Sequence, residues 1–140
     1  MNRLLLALGA TLLAAFAVAQ ERSAPAPDAE VYFISPQNGA TVHGPVTVRF
    51  GLKGMGVAPA GVKFDNTGHH HLLVDTEVSE LKLDAPLPMT EKIVHFGKGQ
   101  TETAVTLPPG KHTLELLFAD YVHKSFDPPL HSKKITITVE

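Results

Sequence analysis

From residue 31 onward the chain is built of short segments in which apolar and polar positions alternate, each closed by proline, glycine or asparagine. Val46, Val48, Phe50 and Leu52 alternate with Thr47, Arg49 and Gly51, a period of two that predicts a strand with one buried face. Lys111–Ala119 repeats the pattern, with His112, Leu114, Leu116 and Phe118 on one face. So does the C-terminal segment, where Ile135, Ile137 and Val139 alternate with Lys134, Thr136 and Thr138. Val31–Ile34 is a β-prone run stopped by Ser35-Pro36 and the turn Asn38-Gly39. Segments 69–75, 93–96 and 102–107 bring the total to about seven strands, and no segment beyond residue 30 has helical periodicity. The connection 81–90, with Pro86 and Pro88, and the stretch around Asp127-Pro128-Pro129 read as loops. The pattern predicts an all-β fold, a single immunoglobulin-like antiparallel β-sandwich over residues 31–140. Val48, Phe50, Leu114, Leu116, Phe118, Ile135 and Ile137 are its expected core.

The N-terminus departs from this pattern. Asn2 and Arg3 precede an apolar run from Leu4 to Ala19 that ends in Ala17-Val18-Ala19, the small-x-small pattern of a signal-peptidase site. The run is short for a membrane span, which needs roughly 20 residues. Residues 1–19 are therefore expected to be a cleaved signal peptide, and no cysteine follows to carry a lipid. This implies a periplasmic or secreted protein with no membrane span after cleavage. Residues 20–30, rich in Pro and Ala, read as a flexible leader.

Composition narrows the chemistry. The chain has 140 residues, 44% hydrophobic and 19% charged, which is globular and the size of one domain. Aromatic residues are only 6%, so the core must be aliphatic. A net charge of -2 excludes a charge-driven nucleic-acid binder. With Cys 0, disulfides, thiolate metal sites, iron–sulfur clusters and thiol nucleophiles are excluded. Histidine is in excess, at eight residues.

Gly68-His69-His70-His71-Leu72 opens a strand. Side chains alternate across a strand, so His69 and His71 share one face and His70 takes the other. Two residues along a strand span about 6.6 Å, close enough for two imidazoles to reach one ion. Copper and zinc both accept imidazole. His70, beside the apolar positions Leu72 and Val74, reads as a core histidine and the less expected ligand. His95 lies on the face of Ile93 just before the flexible Gly97-Lys98-Gly99. Asp120 and His123 follow a long strand at a spacing that permits chelation, or in which the Asp orients the His, or in which the Asp merely caps a turn. The candidate metal residues are thus His69, His71, His95, His123 and Asp120. His43 in a turn, His112 in a core-facing row and His131 on an exposed loop read as less specific.

With these segments in view, the chain resembles a family of short exported bacterial proteins known as a domain of unknown function. FISPQNGATV, GMGVAPAG, NTGHHHLLVD, HFGKGQTET, LPPGKHTLELLFAD and the DPP…KKITITV end carry the resemblance, in order, across nearly the whole domain. It implies the fold class and the exported address, and no activity. Two functions compete. One is a protein that binds copper or zinc for sequestration or delivery. The alternative is a non-metal envelope module that binds a ligand or protein through the loops 54–68 and 97–101. No GxSxG, HExxH or nucleophile–base pair is present, so an enzyme is not expected. His-x-His on a sandwich is also found in copper–zinc superoxide dismutase, but the missing cysteines and ligand spacing argue against that enzyme.

Overall fold

The computed structural model describes residues 21–140, so the expected signal peptide lies outside the described residues. The chain forms β1 (Glu30–Ser35), β2 (Thr41–Val42), β3 (Val46–Lys53), β4 (Gly56–Val57), β5 (Thr67–Val74), β6 (Ile93–His95), β7 (Glu102–Val105), β8 (Gly110–Ala119), β9 (Ser125–His131) and β10 (Ile135–Val139). Its one helical element among the described residues is a 3₁₀ turn at Val78–Glu80. No helix among them is long and apolar enough to cross a membrane.

The smaller sheet is β1-β3-β7, antiparallel throughout. The larger is centred on β5 and β8, which run antiparallel with His71 opposite Leu117. β6 and β4 share the far side of β5, while β9 and β10 divide the far side of β8. The sheets face each other across one apolar cluster, to which the smaller contributes Val31, Val46, Val48 and Phe50 and the larger Leu72, Leu114, Leu116, Phe118 and Ile137. All seven expected core residues lie in this cluster. The period-two pattern is the cause: on each regular strand, one row of apolar side chains leaves water only if the sheets stack, and the few aromatics, Phe50 and Phe118 among them, join the aliphatic residues there.

The structure departs from the sequence reading in three places. Three strands were not expected: β2, β4 and β9. β9 contains Pro128 and Pro129, read as a loop because proline cannot donate to a ladder. It is tolerated because β9 pairs on one side only, with β8. Second, β5 and the end of β8 do not alternate; seven of the eight residues of β5 are buried. Their outer face is covered by residues 76–92, whose Val78 and Leu87 pack on Leu73, Leu117 and Ala119. Third, the leader is tethered rather than free. Arg22 donates from Nε to the Ser125 carbonyl at 3.1 Å and from Nη2 to that of Phe126. The Asp127 N–H also donates to the Ser23 carbonyl, at 2.9 Å.

Candidate metal centre

The alternation of β5 sorts its three histidines. His70 points between the sheets, its ring 5.0 Å from that of Phe50 and 4.9 Å from that of Phe118. His69 and His71 point to the outer face, in the same row as Leu73. β6 places His95 directly opposite His71. The turn after β8 brings His123 to the same spot. His69, His95 and His123 each offer a ring nitrogen, and these nitrogens all lie within 4.8 Å of one another. The Nε2 atoms of His95 and His123 are 3.1 Å apart. His71 lies beside them, its ring 4.8 Å from that of His69 and 5.2 Å from that of His95.

Local structure is spent on this convergence. His123 holds a φ of 67°, a left-handed backbone that a non-glycine residue adopts at a cost of order 1–3 kcal/mol. Asp120 enforces it: its Oδ1 accepts the N–H groups of Val122 and Lys124, and its carbonyl accepts that of His123. The Asp120 carboxylate therefore serves the turn, and it is not among the groups that converge. Residues 56–61 strap the histidine-bearing segments together. Ala58 N–H donates to the Gly68 carbonyl, Ala60 to Gly97 and Gly61 to Tyr121.

One contributor escaped the sequence reading. The His95 ring packs closely against Gly97, so that a Cβ there would sit 2.2 Å from its Cε1 and 2.6 Å from its Nε2. In the sequence Gly97 signals only flexibility; its use in the fold is space, a distinction that depends on which ring packs against it.

The ring nitrogens of His69, His70 and His71 are all buried and without a hydrogen-bond partner. Burial disfavours the imidazolium and holds His69 to about 4, with the neighbouring His123, His95 and His70 adding repulsion. His71 falls to about 2, first through burial and then through His69, His95 and His123. The Leu117 main chain works the other way on His71 without making a hydrogen bond of good geometry. His95 is lowered by burial and by His123. These imidazoles are neutral near pH 7, with lone pairs available to an ion.

The remaining histidines lie apart from the cluster. His112 is buried, with Nδ1 2.8 Å from Asp75 and Nε2 2.7 Å from the Pro108 carbonyl. Both neighbours accept, which favours the doubly protonated ring and holds its pKa above the ordinary value. His131 is exposed, as expected, and bonds the buried Glu115 at 2.7 Å. His43 is exposed beside Glu140.

No curated protein matches this chain. Among solved structures it is similar to an endo-β-1,4-mannanase from Thermotoga petrophila, with 17% identity over 81% of this chain and 20% of the other, at a TM-score of 0.47. The chain thus spans about a fifth of that protein's length. A family model described as a domain of unknown function, DUF4399, matches residues 48–140, which include every residue of the histidine cluster, and the chain belongs to that family.

Proposed function

We propose that the protein is an exported metal-binding protein that holds a copper or zinc ion for sequestration or delivery, through His69, His95 and His123. The observation that carries this reading is the convergence of three ring nitrogens within 4.8 Å, contributed by three separate segments. Buried polar groups in folded proteins are nearly always partnered. An ion gives His69, whose nitrogens have no other partner, the interaction that its burial otherwise forfeits. Nothing in the cluster pairs a nucleophile with a base, which favours holding an ion over catalysis. The signal-like N-terminus supports action outside the cytoplasm.

The test uses an untagged chain beginning at Gln20, since a histidine tag would itself bind. Elemental analysis of the purified protein, followed by copper and zinc titration of wild type, His69→Ala and His131→Ala, is decisive. Stoichiometric binding, lost in the first variant and kept in the second, is expected. Equal behaviour of all three proteins would overturn the reading. A second reading, an envelope ligand module, draws on a cavity of about 490 Å³ at the 54–68 loop, lined in part by Met55, Lys63, Phe64 and Tyr121. Exposed Phe64 stands at its rim.

A further inference from the structure

We propose that His71 is the fourth ligand of this centre, closing it into a tetrahedral all-imidazole site suited to zinc(II). The inference rests on the metal reading above and extends it from a triad to a complete coordination sphere.

The argument is geometric. Four imidazoles bound at about 2.0–2.1 Å to a tetrahedral ion have ring centroids about 3.2 Å from the metal, hence about 5.2 Å apart, and ligand nitrogens about 3.3 Å apart. In the structure the ring separations are 4.8 Å for His69–His71, 5.0 Å for His69–His95 and 5.0 Å for His69–His123. They are 5.2 Å for His71–His95 and 4.7 Å for His95–His123. The Nε2–Nε2 distance of His95 and His123, 3.1 Å, fits the same figure, while the triad's nitrogens span up to 4.8 Å, so an ion draws the wider pairs in by up to about 1.5 Å. Only His71–His123, at 6.2 Å, is wide, by about 1 Å against the tetrahedral value.

That wide pair also discriminates between metals. A square-planar ion such as copper(II) places both opposite ring pairs at about 6.4 Å. The pair opposite His71–His123 is His69–His95, and it is 5.0 Å apart. Four rings that surround one point without lying in a plane suit a d¹⁰ ion with no directional preference. The absence of thiolate or thioether among them favours zinc(II) over copper(I).

His71 itself supplies an independent observation. It is fully buried, with both ring nitrogens unpartnered, on the same sheet face as His69 and His95, whose rings lie 4.8 and 5.2 Å from its own. Leaving such a group unpaired costs about 1–3 kcal/mol. Four protein ligands leave no position for water, the hallmark of a site that holds its ion rather than one that activates a bound water.

Cobalt(II), a spectroscopic stand-in for zinc, is the probe, added to the untagged chain from Gln20. A tetrahedral four-nitrogen site gives intense visible bands; a site completed by water gives weaker ones that shift when azide enters. The expected wild-type result is an intense band indifferent to azide. His71→Ala is expected to weaken zinc binding by about 100-fold or more, beyond the loss of an outer-shell partner, and to make the cobalt band azide-sensitive. A weak, azide-responsive band in wild type overturns the fourth ligand and leaves the triad standing; this measurement needs no variant to fold. Stoichiometric copper(II) with a square-planar electron paramagnetic signature overturns the zinc assignment. Failure of cobalt, zinc and copper alike to bind overturns the metal reading itself.

Discussion

His70 permits a test of the core that is independent of any metal. Its ring sits between Phe50 and Phe118 with both nitrogens unpartnered, and burial alone lowers it from 6.5 to about 4. In the unfolded chain it titrates near its ordinary value. A histidine whose folded pKa lies below the unfolded one contributes full stability above about pH 6.5 and loses it as pH falls toward 4. Near pH 5 the unfolded state binds the proton and the folded state does not, which costs the fold about 2 kcal/mol from this residue. His70→Leu removes that cost. The substitution also alters packing and relieves an unpaired polar group, by opposing amounts on the order of 1 kcal/mol each. Those contributions are the same at both pH values, so the change in the difference between variant and wild type isolates the proton. Urea unfolding with chelator present, near pH 7.5 and near pH 5, reads it directly. The variant should gain about 2 kcal/mol on wild type across that interval, on the order of 1 M in midpoint. A difference constant with pH would show that the imidazole has a polar partner or reaches water, and would refute the reasoning.

Other residues make separate predictions. His112 is held above its ordinary value first by its hydrogen bond to Asp75 and then by the Pro108 carbonyl, so its contribution is complete below about pH 6.5 and fades as pH rises through the raised value. An NMR titration of the His112 ring should show this, and Asp75→Asn should bring the midpoint down; an unchanged midpoint would contradict the pairing. Leu116→Ala, emptying a fully buried position between the sheets, should cost about 2–5 kcal/mol in denaturant unfolding. Gly97→Ala should push the His95 ring aside and weaken zinc binding about tenfold or more, while the melting temperature of the metal-free protein moves by only a few degrees. Unaltered zinc affinity in that variant would exclude His95 from the site.

The alternation of Val46–Leu52, Lys111–Ala119 and Ile135–Val139 was enough to determine strands, a sandwich and its core, because the period of two allows one apolar face only one place to go. The same rule puts His69 and His71 together and His70 apart. It failed at β9, because whether Pro128 and Pro129 can sit in a strand depends on which of its edges is left open. It failed too for the outer face of β5, since the cover comes from residues 76–92, distant in the chain. Asp120 could be read as ligand or cap from its spacing alone, and only the fold, by aiming its carboxylate at the Val122 and Lys124 N–H groups, made it the cap. The site itself belongs to tertiary structure. His95 reaches His71 through the register of β6 on β5, and His123 through a left-handed turn after β8. Such distances between segments depend on how strands pair and turn, whereas the sequence encodes only which side of each strand a residue takes.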